Sequence, residues 1–402
     1  MLPLEGVKVV ELAIWLAGPA CGVMMADCGA DVVKVEHLDT GGDPARGWTP
    51  TDASGGQGPN YVFETMNRGK RDIALDVSRE KGREALYRLC RDADVFITNL
   101  RLSTLDKLQV NYESIRGVNP QIVYVRGTGY GPRGPEKDKM GFDSIGFWAR
   151  SGIMASLGEP DTVPVRLRGS LGDVSTGTCL FAGMMTALFR RERTGEGALV
   201  DGSLLGTGAW IAAENLWAPL IGGINIPRYS RKSPPNPLVN IYPTSDGRWI
   251  YVTVLQADRF WPNVCRAVGR EDLVHDARFT ELVPRKENSG ALVAIFDEEF
   301  KKRTLEEWGR RLDAEHIAWG AVTTPNEVIS EPQVEANDYL VMVDHPSLGQ
   351  LKETAIPFQI DGSSLSPRAS SPEFGGSTEE VLLEAGYTWG EIAEMKEEKV
   401  VI

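Results

Sequence analysis

Short runs of β-branched residues alternate with amphipathic stretches along the first half of the chain. Short apolar runs of this kind are typical of strands, and apolar residues at three- and four-residue intervals are typical of helices. The predicted strands cover residues 7–13, 31–36, 94–99 and 122–129. The predicted helices lie at 18–29, at 80–93 and in the apolar run after Asp173. This β-α-β alternation predicts an α/β fold with a Rossmann-like, doubly wound parallel sheet, whose ligands bind beyond the carboxyl ends of the strands.

The pattern changes in the second half of the chain. Residues 221–240 are rich in Gly, Pro and basic residues and show no period, which is typical of a linker. The next stretch, NIYPTSDGRWIYVTV, predicts a hairpin, and amphipathic helices follow over 257–318. We therefore expect a large domain over 1–222, a smaller α/β domain over 223–325 and a C-terminal segment over 326–402 that returns to the large domain.

Composition narrows the classes of partner. The chain has 402 residues, of which 42% are hydrophobic, so it can bury a large core. Its formal net charge of -13 argues against a general attraction to nucleic acid or to an anionic membrane. The charged start, MLPLEGVKVVELA, predicts a strand rather than a signal peptide, and no uncharged run approaches the ~20 residues of a membrane span. We expect a cytoplasmic protein that holds any anionic ligand through a local cluster of cations.

No metal site, nucleotide-binding motif or hydrolase motif is specifically supported by the sequence. Five cysteines without C-x-x-C spacing and four isolated histidines predict neither a disulfide framework nor a metal site. Cys21, Cys90 and Cys179 lie in runs predicted as buried helix. AGPACG at 17–22 lacks the G-x-G-x-x-G pattern, NRGKR at 67–71 lacks the features of a P-loop, and no G-x-S-x-G elbow occurs. Nicotinamide binding, P-loop chemistry and a hydrolase serine therefore have no specific support.

A single carboxylate, Asp173, stands among small residues in the stretch GSLGDVSTG at 169–177. One interpretation is that Asp173 caps the following helix through the unpaired N–H groups of its first turn. The other is that the small neighbours let a substrate approach the carboxylate closely. Asp143, in GFDS, is a second loop carboxylate that either forms a turn or shares proton transfer with Asp173.

Several motifs occur together, in order, along nearly the whole chain. They are GVKVVELA, AGPACG, GADVVKVE, NRGKRDIALDVSREKG, TNLR, TGYGPRGPEKDKMGFDS, GDVSTG and YPTSDGRW. This set resembles the family III CoA-transferases, also called the CaiB/BaiF or formyl-CoA transferase-like family. The stretches GPEKDKMGFDSIGFWARSG, SPPNP, GREDLV, ANDYL and EAGYTWGEI look most like its cinnamoyl-CoA:phenyllactate and 2-hydroxyisocaproate branch.

The resemblance implies that Asp173 is the catalytic nucleophile, since it matches the aspartate of the family's GD motif. A carboxylate can attack an acyl-CoA thioester to give a mixed anhydride, which CoA thiolate converts into an aspartyl-CoA thioester. The N–H groups of Gly172 and Val174 are candidate oxyanion donors, and a helix start favours ionised Asp173. Leu16 stands where formyl-CoA transferase has a Gln, so we expect a more apolar acyl pocket.

The resemblance also implies residues that shape the site and bind CoA. Besides Gly172, the reacting centre is expected to include Leu16, Ala17 and Phe142. By position, CoA contacts are expected at His37, Leu75, Val77, Asn99, Leu100, Lys107, Leu108 and Lys139. Arg46 and Arg101 are further cations, proposed from their loop positions. The predicted co-substrate is therefore CoA, as acyl-CoA, with a free carboxylic acid as acceptor and no metal.

Two other functions remain open at this point. An α-methylacyl-CoA racemase-like isomerase would need a histidine in a G-H-D motif, but the chain has Phe142 at that position, and Phe cannot carry a proton. A non-catalytic CoA-binding protein would not need Asp173. The family also forms interlocked dimers, and the linkers near 221–240 and 320–335 would suit such a homodimer.

Overall fold

A computed structural model describes residues 2–48, 60–166 and 169–402. Its central sheet has six strands: β1 (Lys8–Leu12), β2 (Asp31–Glu36), β3 (Arg71–Ala74), β4 (Val95–Thr98), β5 (Val123–Thr128) and β6 (Ala198–Ser203). The strand order is β3-β2-β1-β4-β5-β6, and every neighbouring pair is parallel. This order reverses direction between β1 and β4, where doubly wound folds usually bind their ligands. The predicted Rossmann-like fold is confirmed.

The helices that pack on the sheet cover both of its faces, and one or more helices follow each strand in the chain. They are α1 (Ala17–Asp27), α2 (Tyr61–Asn67), α3 (Glu80–Arg91), α4 (Leu102–Leu108), α5 (Tyr112–Val118), α6 (Ile153–Ser156), α7 (Leu171–Thr194), α8 (Leu204–Ile211) and α9 (Ala213–Gly222). A π-helical turn spans Asp143–Ala149.

Side chains that alternate between the two faces of each strand divide the core into two layers. Val10 points into the layer that contains Leu86 of α3, whereas its neighbour Val9 points into the layer that contains Met24 of α1 and Met184 of α7. Successive side chains of a strand face opposite sides, so β1 must be apolar on both faces. The continuous apolar runs of the sequence are therefore those of a sheet buried on both sides.

Helices α1 and α7 approach each other unusually closely. A Cβ atom at Gly177 would lie 2.5 Å from the Ala20 Cβ and 2.9 Å from the carbonyl oxygen of Ala17. Glycine is therefore required for this contact, because any side chain would push the two helices apart. The contact holds the first turn of α7, with Asp173, close to the first turn of α1.

The chain divides into two compact units, of which the first comprises residues 1–155, 166–224 and 332–402 and the second 156–165 and 225–331. The second unit contains β7 (Val239–Pro243), β8 (Trp249–Thr253), β9 (Trp319–Ala321), α10 (Ala257–Val268), α11 (Leu282–Glu287), α12 (Ser289–Phe300), α13 (Leu305–Ala314) and α14 (Pro325–Val328). Strands β7 and β8 form the antiparallel hairpin expected from NIYPTSDGRWIYVTV. Trp261, Phe296 and Trp308 are buried at the centre of this unit.

The C-terminal segment packs with the first unit. It contains α15 (Pro332–Ala336), β10 (Leu340–His345), β11 (Gly349–Thr354), β12 (Gln359–Ile360), β13 (Ser363–Ser364), α16 (Thr378–Glu384) and α17 (Trp389–Glu397). Val381 and Met395 join the same core layer as Val10. Ser377 donates its N–H to the carbonyl of Asp72 at 2.8 Å, and Thr378 Oγ1 accepts the N–H of Ala74 at 3.2 Å. The segment thereby covers the edge of the sheet at β3.

Some local features differ from the sequence predictions. The two edge strands, β3 and β6, were not predicted. Residues 156–165, expected within the large domain, pack with the second unit. The prediction that Cys179 is buried is wrong, because it lies on the outward side of α7 and is exposed, whereas Cys21 and Cys90 are buried. Among the described residues, every helix is too short or too polar to cross a bilayer.

Candidate active site

A cavity of about 380 Å³ lies at the carboxyl ends of β1, β4 and β5 in the first unit. It is lined by Ile14, Trp15, Ala17, Asn99, Leu100, Arg101, Thr104, Gly127, Thr128, Gly129, Met140, Gly141, Phe142, Asp173, Thr176 and Leu204. The loops that follow β1 and β4 form two of its walls, because these strands flank the point where the strand order reverses.

The cavity brings together fewer than half of the residues predicted for the site. Ala17, Asn99, Leu100, Arg101, Phe142 and Asp173 all line it. Leu16 and Gly172 do not line it, because both are buried directly behind it; a Cβ at Gly172 would lie 2.4 Å from the ring of Phe147. Among the lining residues that were not predicted as site residues, Thr104 lies outside the motifs of the family resemblance. Thr128, Met140 and Thr176 lie within TGYGPRGPEKDKMGFDS and GDVSTG, where the resemblance assigned them no role.

Asp173 lies in the first turn of α7, but it does not cap that helix. Ser170 is the N-cap residue, and no side chain within the cap satisfies the first N–H groups. Instead, Asp143 Oδ2 accepts the N–H of Gly172 at 2.7 Å and the N–H of Asp173 at 3.0 Å. The capping role belongs to Asp143, at the start of the π-helical turn thirty residues earlier, so the Asp173 side chain is not needed as a cap.

The environment of Asp173 favours its protonated form. Burial, and then repulsion from the Asp143 carboxylate, raises the pKa of Asp173 to about 7. Burial also raises the pKa of Asp143, against the opposing effect of the two N–H groups it accepts. This direction is opposite to the expectation that the helix start keeps Asp173 ionised, because burial disfavours the charged form and Asp143, which already occupies the helix N-terminus, repels a second charge.

The backbone donors expected around Asp173 are engaged. The N–H of Gly172 is bonded to Asp143, and the N–H of Val174 donates to the carbonyl of Ser170 at 2.9 Å. At the start of α1, by contrast, the N–H groups of Ala17 and Gly18 have no acceptor within residues 2–48, 60–166 and 169–402. Free backbone donors therefore come from α1 rather than α7.

The loop between β1 and α1 is held in a conformation that few side chains adopt. Trp15 has a φ of 61°, and its N–H donates to Asp43 Oδ1 at 2.9 Å. The Asn99 side chain binds the backbone of Ile14, the residue before Trp15. Its Oδ1 accepts the Ile14 N–H at 2.9 Å, and its Nδ2 donates to the Ile14 carbonyl at 2.6 Å. The Trp15 ring meets the Phe142 ring edge to face, with centroids 6.3 Å apart. Strained backbone of this kind persists where the surroundings hold it firmly, and it places an aromatic wall on the cavity.

A buried ionic network of Lys34, Lys70, Glu11 and Asp43 supports the loop between β1 and α1. Lys34 donates to Asp43 Oδ2 at 3.0 Å, to Glu11 Oε1 at 3.3 Å and to the carbonyl of Ala13 at 2.9 Å. Lys70 donates to both oxygens of Glu11, at 2.8 and 3.0 Å. All four ionic side chains are inaccessible to solvent. Asp43 is therefore fixed on one side by Lys34 while it holds Trp15 on the other.

The remaining residues predicted to bind CoA lie outside the cavity. Leu75 and Val77 have fully buried side chains within a core layer, and Leu108 packs against the same layer. Lys107 is exposed on α4, and Lys139 is exposed and paired with Glu136 at 2.6 Å.

Two further predicted cationic groups are engaged within the protein. His37 Nδ1 accepts the N–H of Asp39 at 3.2 Å, and His37 Nε2 lies 3.5 Å from Asp76 Oδ1. Ligand atoms of His37, Asp39 and Asp76 lie within 4.8 Å of one another, and His37 Nδ1 is already used by the Asp39 N–H. Arg46 binds Glu36 at 2.7 Å and stacks on Phe63, so its guanidinium is engaged within the protein.

Comparison with known proteins agrees with this architecture. The chain matches the family model of CoA-transferase family III over residues 4–378. It is 32% identical over 401 residues to the (R)-2-hydroxy-4-methylpentanoate CoA-transferase of Clostridioides difficile, covering 99% of each chain. It is 33% identical to the cinnamoyl-CoA:phenyllactate CoA-transferase of Clostridium sporogenes, covering 99% of this chain and 97% of that protein.

A solved structure has the same fold. The crystal structure of a CAIB/BAIF family protein from Brucella suis is 31% identical in sequence, with a TM-score of 0.83. The match covers 96% of this chain and 99% of that one. The chain belongs to CoA-transferase family III and is an enzyme that uses a CoA thioester as co-substrate.

Proposed function

We propose that this enzyme transfers CoA between an acyl-CoA and a carboxylic acid, with Asp173 as the nucleophile. The observation that carries the proposal is the position of the Asp173 carboxyl group, which lines the cavity at the carboxyl ends of the strands and has a pKa near neutrality. A carboxylate of this kind is available as a nucleophile once it loses its proton, and burial leaves it poorly solvated and therefore reactive.

The reaction would proceed through two covalent intermediates. Ionised Asp173 attacks the thioester carbonyl carbon, the C–S bond breaks, and CoA leaves as the thiolate beside a mixed anhydride. The thiolate then attacks the carbonyl carbon of Asp173 and expels the first acid as its carboxylate. The resulting aspartyl-CoA thioester reacts with the incoming carboxylate by the same two steps in reverse. Every bond that breaks is matched by one that forms, so no other reactant is needed.

The first oxyanion forms on the acyl group of the substrate, and we propose that α1 stabilises it. The N–H groups of Ala17 and Gly18 lack acceptors among the described residues, and Ala17 lines the cavity. Preorganised backbone donors of this type are strong contributors to acyl-transfer catalysis. Leu16 is 6% exposed and apolar, so its side chain gives no hydrogen bond here.

For CoA itself, we propose that Asn99, Leu100 and Arg101 contact the part nearest the thioester. These residues lie between the cavity and the exposed surface of α4. Lys107 and Lys139 remain our candidates for the phosphates, since a chain of net charge -13 needs local cations for them, and His37 remains a candidate through its ring Nε2. Leu108 is proposed to pack beside the nucleotide. Because the side chains of Leu75 and Val77 are buried, we propose that the adenine contacts their backbone.

The walls of the cavity favour an apolar acyl group. Trp15, Met140, Phe142 and Leu204 supply apolar and aromatic surface. The relatives from Clostridioides difficile and Clostridium sporogenes are named for a branched 2-hydroxy acid and for aryl acids. We therefore propose aryl or branched 2-hydroxy acyl substrates, for which a large apolar contact supplies binding energy.

A racemase reaction is the second candidate, and the site argues against it. A racemase needs a proton-carrying group on each face of the substrate. Phe142, which carries no proton, lines the cavity beside Asp173, and the neighbouring Asp143 holds two helix N–H groups. A protein that only binds CoA would not need a carboxyl group with a raised pKa in this cavity.

The deciding experiment is incubation in D₂O with cinnamoyl-CoA and, separately, a 2-methylacyl-CoA, whose sp³ α-carbon carries an exchangeable proton, as donors, and with phenyllactate or (R)-2-hydroxy-4-methylpentanoate as acceptor. Mass spectrometry of all thioesters is expected to show a new acyl-CoA without a deuterium shift. Deuterium at the α-carbon with no new thioester would instead establish the racemase. Binding of CoA with neither signal would support the non-catalytic alternative.

The pH dependence provides a separate prediction. Because Asp173 must be ionised to attack, kcat/KM is expected to rise as pH passes through about 7 and to level off above it. Asp143→Asn removes the neighbouring charge but keeps an oxygen that accepts the helix N–H groups, so the rise should move to lower pH. The control is Asp338→Asn, on an exposed residue of the C-terminal segment. An unchanged pH profile in Asp143→Asn would show that Asp143 does not tune Asp173.

We also propose a homodimer, in which an exposed apolar surface on α8 and α9 meets a second copy of the chain. Its members Trp210, Trp217, Leu220 and Ile221 are 60–78% exposed. Contiguous apolar surface of this kind marks an interaction site on soluble domains. Sedimentation equilibrium is expected to give twice the chain mass of 44.0 kDa, and the double variant Trp217→Lys, Leu220→Lys should give the monomer mass.

A further inference from the structure

The hydroxyl group of Thr176 stands out on α7. Thr176 is 1% exposed and lines the cavity, three residues after Asp173. Residues three apart on a helix share a face and lie about 5–6 Å apart at Cβ. The Thr176 side chain is therefore a close neighbour of the Asp173 carboxyl group, on the side of the helix that faces the reaction.

The Thr176 hydroxyl oxygen has no hydrogen-bond partner within the described part of the chain. The other threonines of α7 behave differently, because each donates to the carbonyl four residues earlier. Thr178 donates to Val174 at 2.9 Å, Thr186 to Ala182 at 2.9 Å and Thr194 to Arg190 at 3.0 Å. Buried hydroxyl groups are nearly always paired, so the one that departs from its helix neighbours needs an explanation.

The second covalent step places negative charge on an oxygen for which the other hydrogen-bond donors of the site are not available. When CoA thiolate attacks the carbonyl carbon of Asp173, negative charge develops on an oxygen of Asp173 itself. The N–H groups of Gly172 and Val174, the nearest backbone donors on α7, are already bonded. The N–H groups of α1 are assigned above to the oxyanion of the substrate.

We infer that the Thr176 hydroxyl is a catalytic hydrogen-bond donor to the Asp173 oxygen that becomes negative in this second step. The inference rests on the proposed role of Asp173. The thiolate forms a C–S bond to the Asp173 carbonyl carbon while the carbonyl electron pair moves to oxygen, where Thr176 donates its O–H. The pair then returns, the C–O bond to the first acid breaks, and that acid leaves as its carboxylate. The hydroxyl proton stays on Thr176 throughout.

This assignment explains why the hydroxyl is unpaired before reaction. A donor already bonded to the carbonyl of residue 172 would have to break that bond in the transition state. An unpaired donor in a site of low dielectric gains its hydrogen bond when charge appears, which is the differential binding that lowers a barrier. In the resting enzyme the unsatisfied buried hydroxyl lowers the stability of the folded state, and this cost accompanies the gain in rate.

The test replaces the hydroxyl with a methyl group in Thr176→Val and follows each step separately. Enzyme mixed with cinnamoyl-CoA is acid-quenched, and intact-mass spectrometry measures the rate at which the cinnamoyl adduct of the first step forms and the rate at which it is replaced by the aspartyl-CoA adduct of the second. Removing one oxyanion donor typically costs about 10²-fold in rate, and we expect a loss of that size in the second rate in Thr176→Val. Thr176→Ser, which keeps the hydroxyl, should retain the rate within a few-fold. Thr178→Val is the matched control on the same helix, and it should behave as the wild type.

Melting temperatures separate catalysis from structure. Thr176→Val removes an unsatisfied polar group, so its melting temperature should equal or exceed that of the wild type. A wild-type adduct rate in Thr176→Val, or equal losses in the Val and Ser variants together with lower melting temperatures, would overturn the assignment. Failure of the proposed function gives a different result, namely a CoA adduct that forms in Asp173→Asn or maps to another residue.

Discussion

Asp173→Asn is expected to lower thioester exchange by about 10⁴-fold or more, the loss typical for removing a covalent nucleophile. An amide side chain has nearly the same shape as the carboxylate but cannot form the mixed anhydride. The measurement is the initial rate of new acyl-CoA formation from cinnamoyl-CoA and phenyllactate, followed by mass spectrometry.

The same variant should be more stable than the wild type at alkaline pH. The folded-state pKa of Asp173 is raised to about 7, above the ordinary value of 3.8. The folded protein therefore favours the protonated form, and stability is lost as pH rises from about 4 through 7, where the buried group must ionise. Asn carries no such charge, so its melting temperature should exceed that of the wild type at pH 8 and match it at pH 4. An inactive variant that is also less stable at pH 8 would contradict the prediction.

Lys34→Met is expected to destabilise the protein by about 3–5 kcal/mol, the usual cost of removing one partner from a buried ionic network. Burial alone would lower the pKa of Lys34, but the charges of Asp43 and Glu11 raise it, so the lysine is charged in the folded state. Without it, Asp43 keeps a buried charge with fewer partners, and the N–H of Trp15 loses a rigid acceptor. Urea denaturation, with tryptophan fluorescence as the signal, measures the loss.

The control for this substitution is an exposed ion pair. Lys301 pairs with Glu298 at 2.9 Å on the surface of α12, where both side chains are more than half exposed. Lys301→Met should therefore leave the free energy of unfolding close to that of the wild type. Similar free energies of unfolding for Lys34→Met and the wild type would show that the network does not support the loop at Trp15.

The central part of the fold was predictable because its signals are local. Strands β1, β2, β4 and β5 are buried on both faces, so they appear as β-branched runs in the sequence. Strands β3 and β6 lie at the two edges of the sheet, and their sequences, RDIA and ALVDGS, contain the polar residues that edges tolerate. Their apolar signal is correspondingly weak.

The site was predictable in part for the same reason. Ala17, Asn99, Leu100 and Arg101 follow strands that meet at one end of the sheet, so the fold class alone brings them together. The cap that Asp143 provides to α7 depends on a tertiary contact, and no local sequence pattern predicts it. The direction of the Asp173 pKa shift also comes from tertiary packing, because burial raises the pKa most and repulsion from Asp143 raises it further. A sequence-based argument from the helix start consequently gave the opposite direction.

The covered edge of the sheet at β3 has a consequence for biosynthesis. The N–H of Ala74 and the hydroxyl that accepts it, on Thr378, are 304 residues apart in the chain. A ribosome adds about 5–20 residues per second, so β3 emerges roughly 15–60 s before its cover does. Throughout that interval, the nascent chain exposes an unpaired strand edge and the apolar layer that α16 and α17 later bury. Chaperone binding during translation should therefore concentrate on this side of the sheet, and release should follow the synthesis of the last two helices.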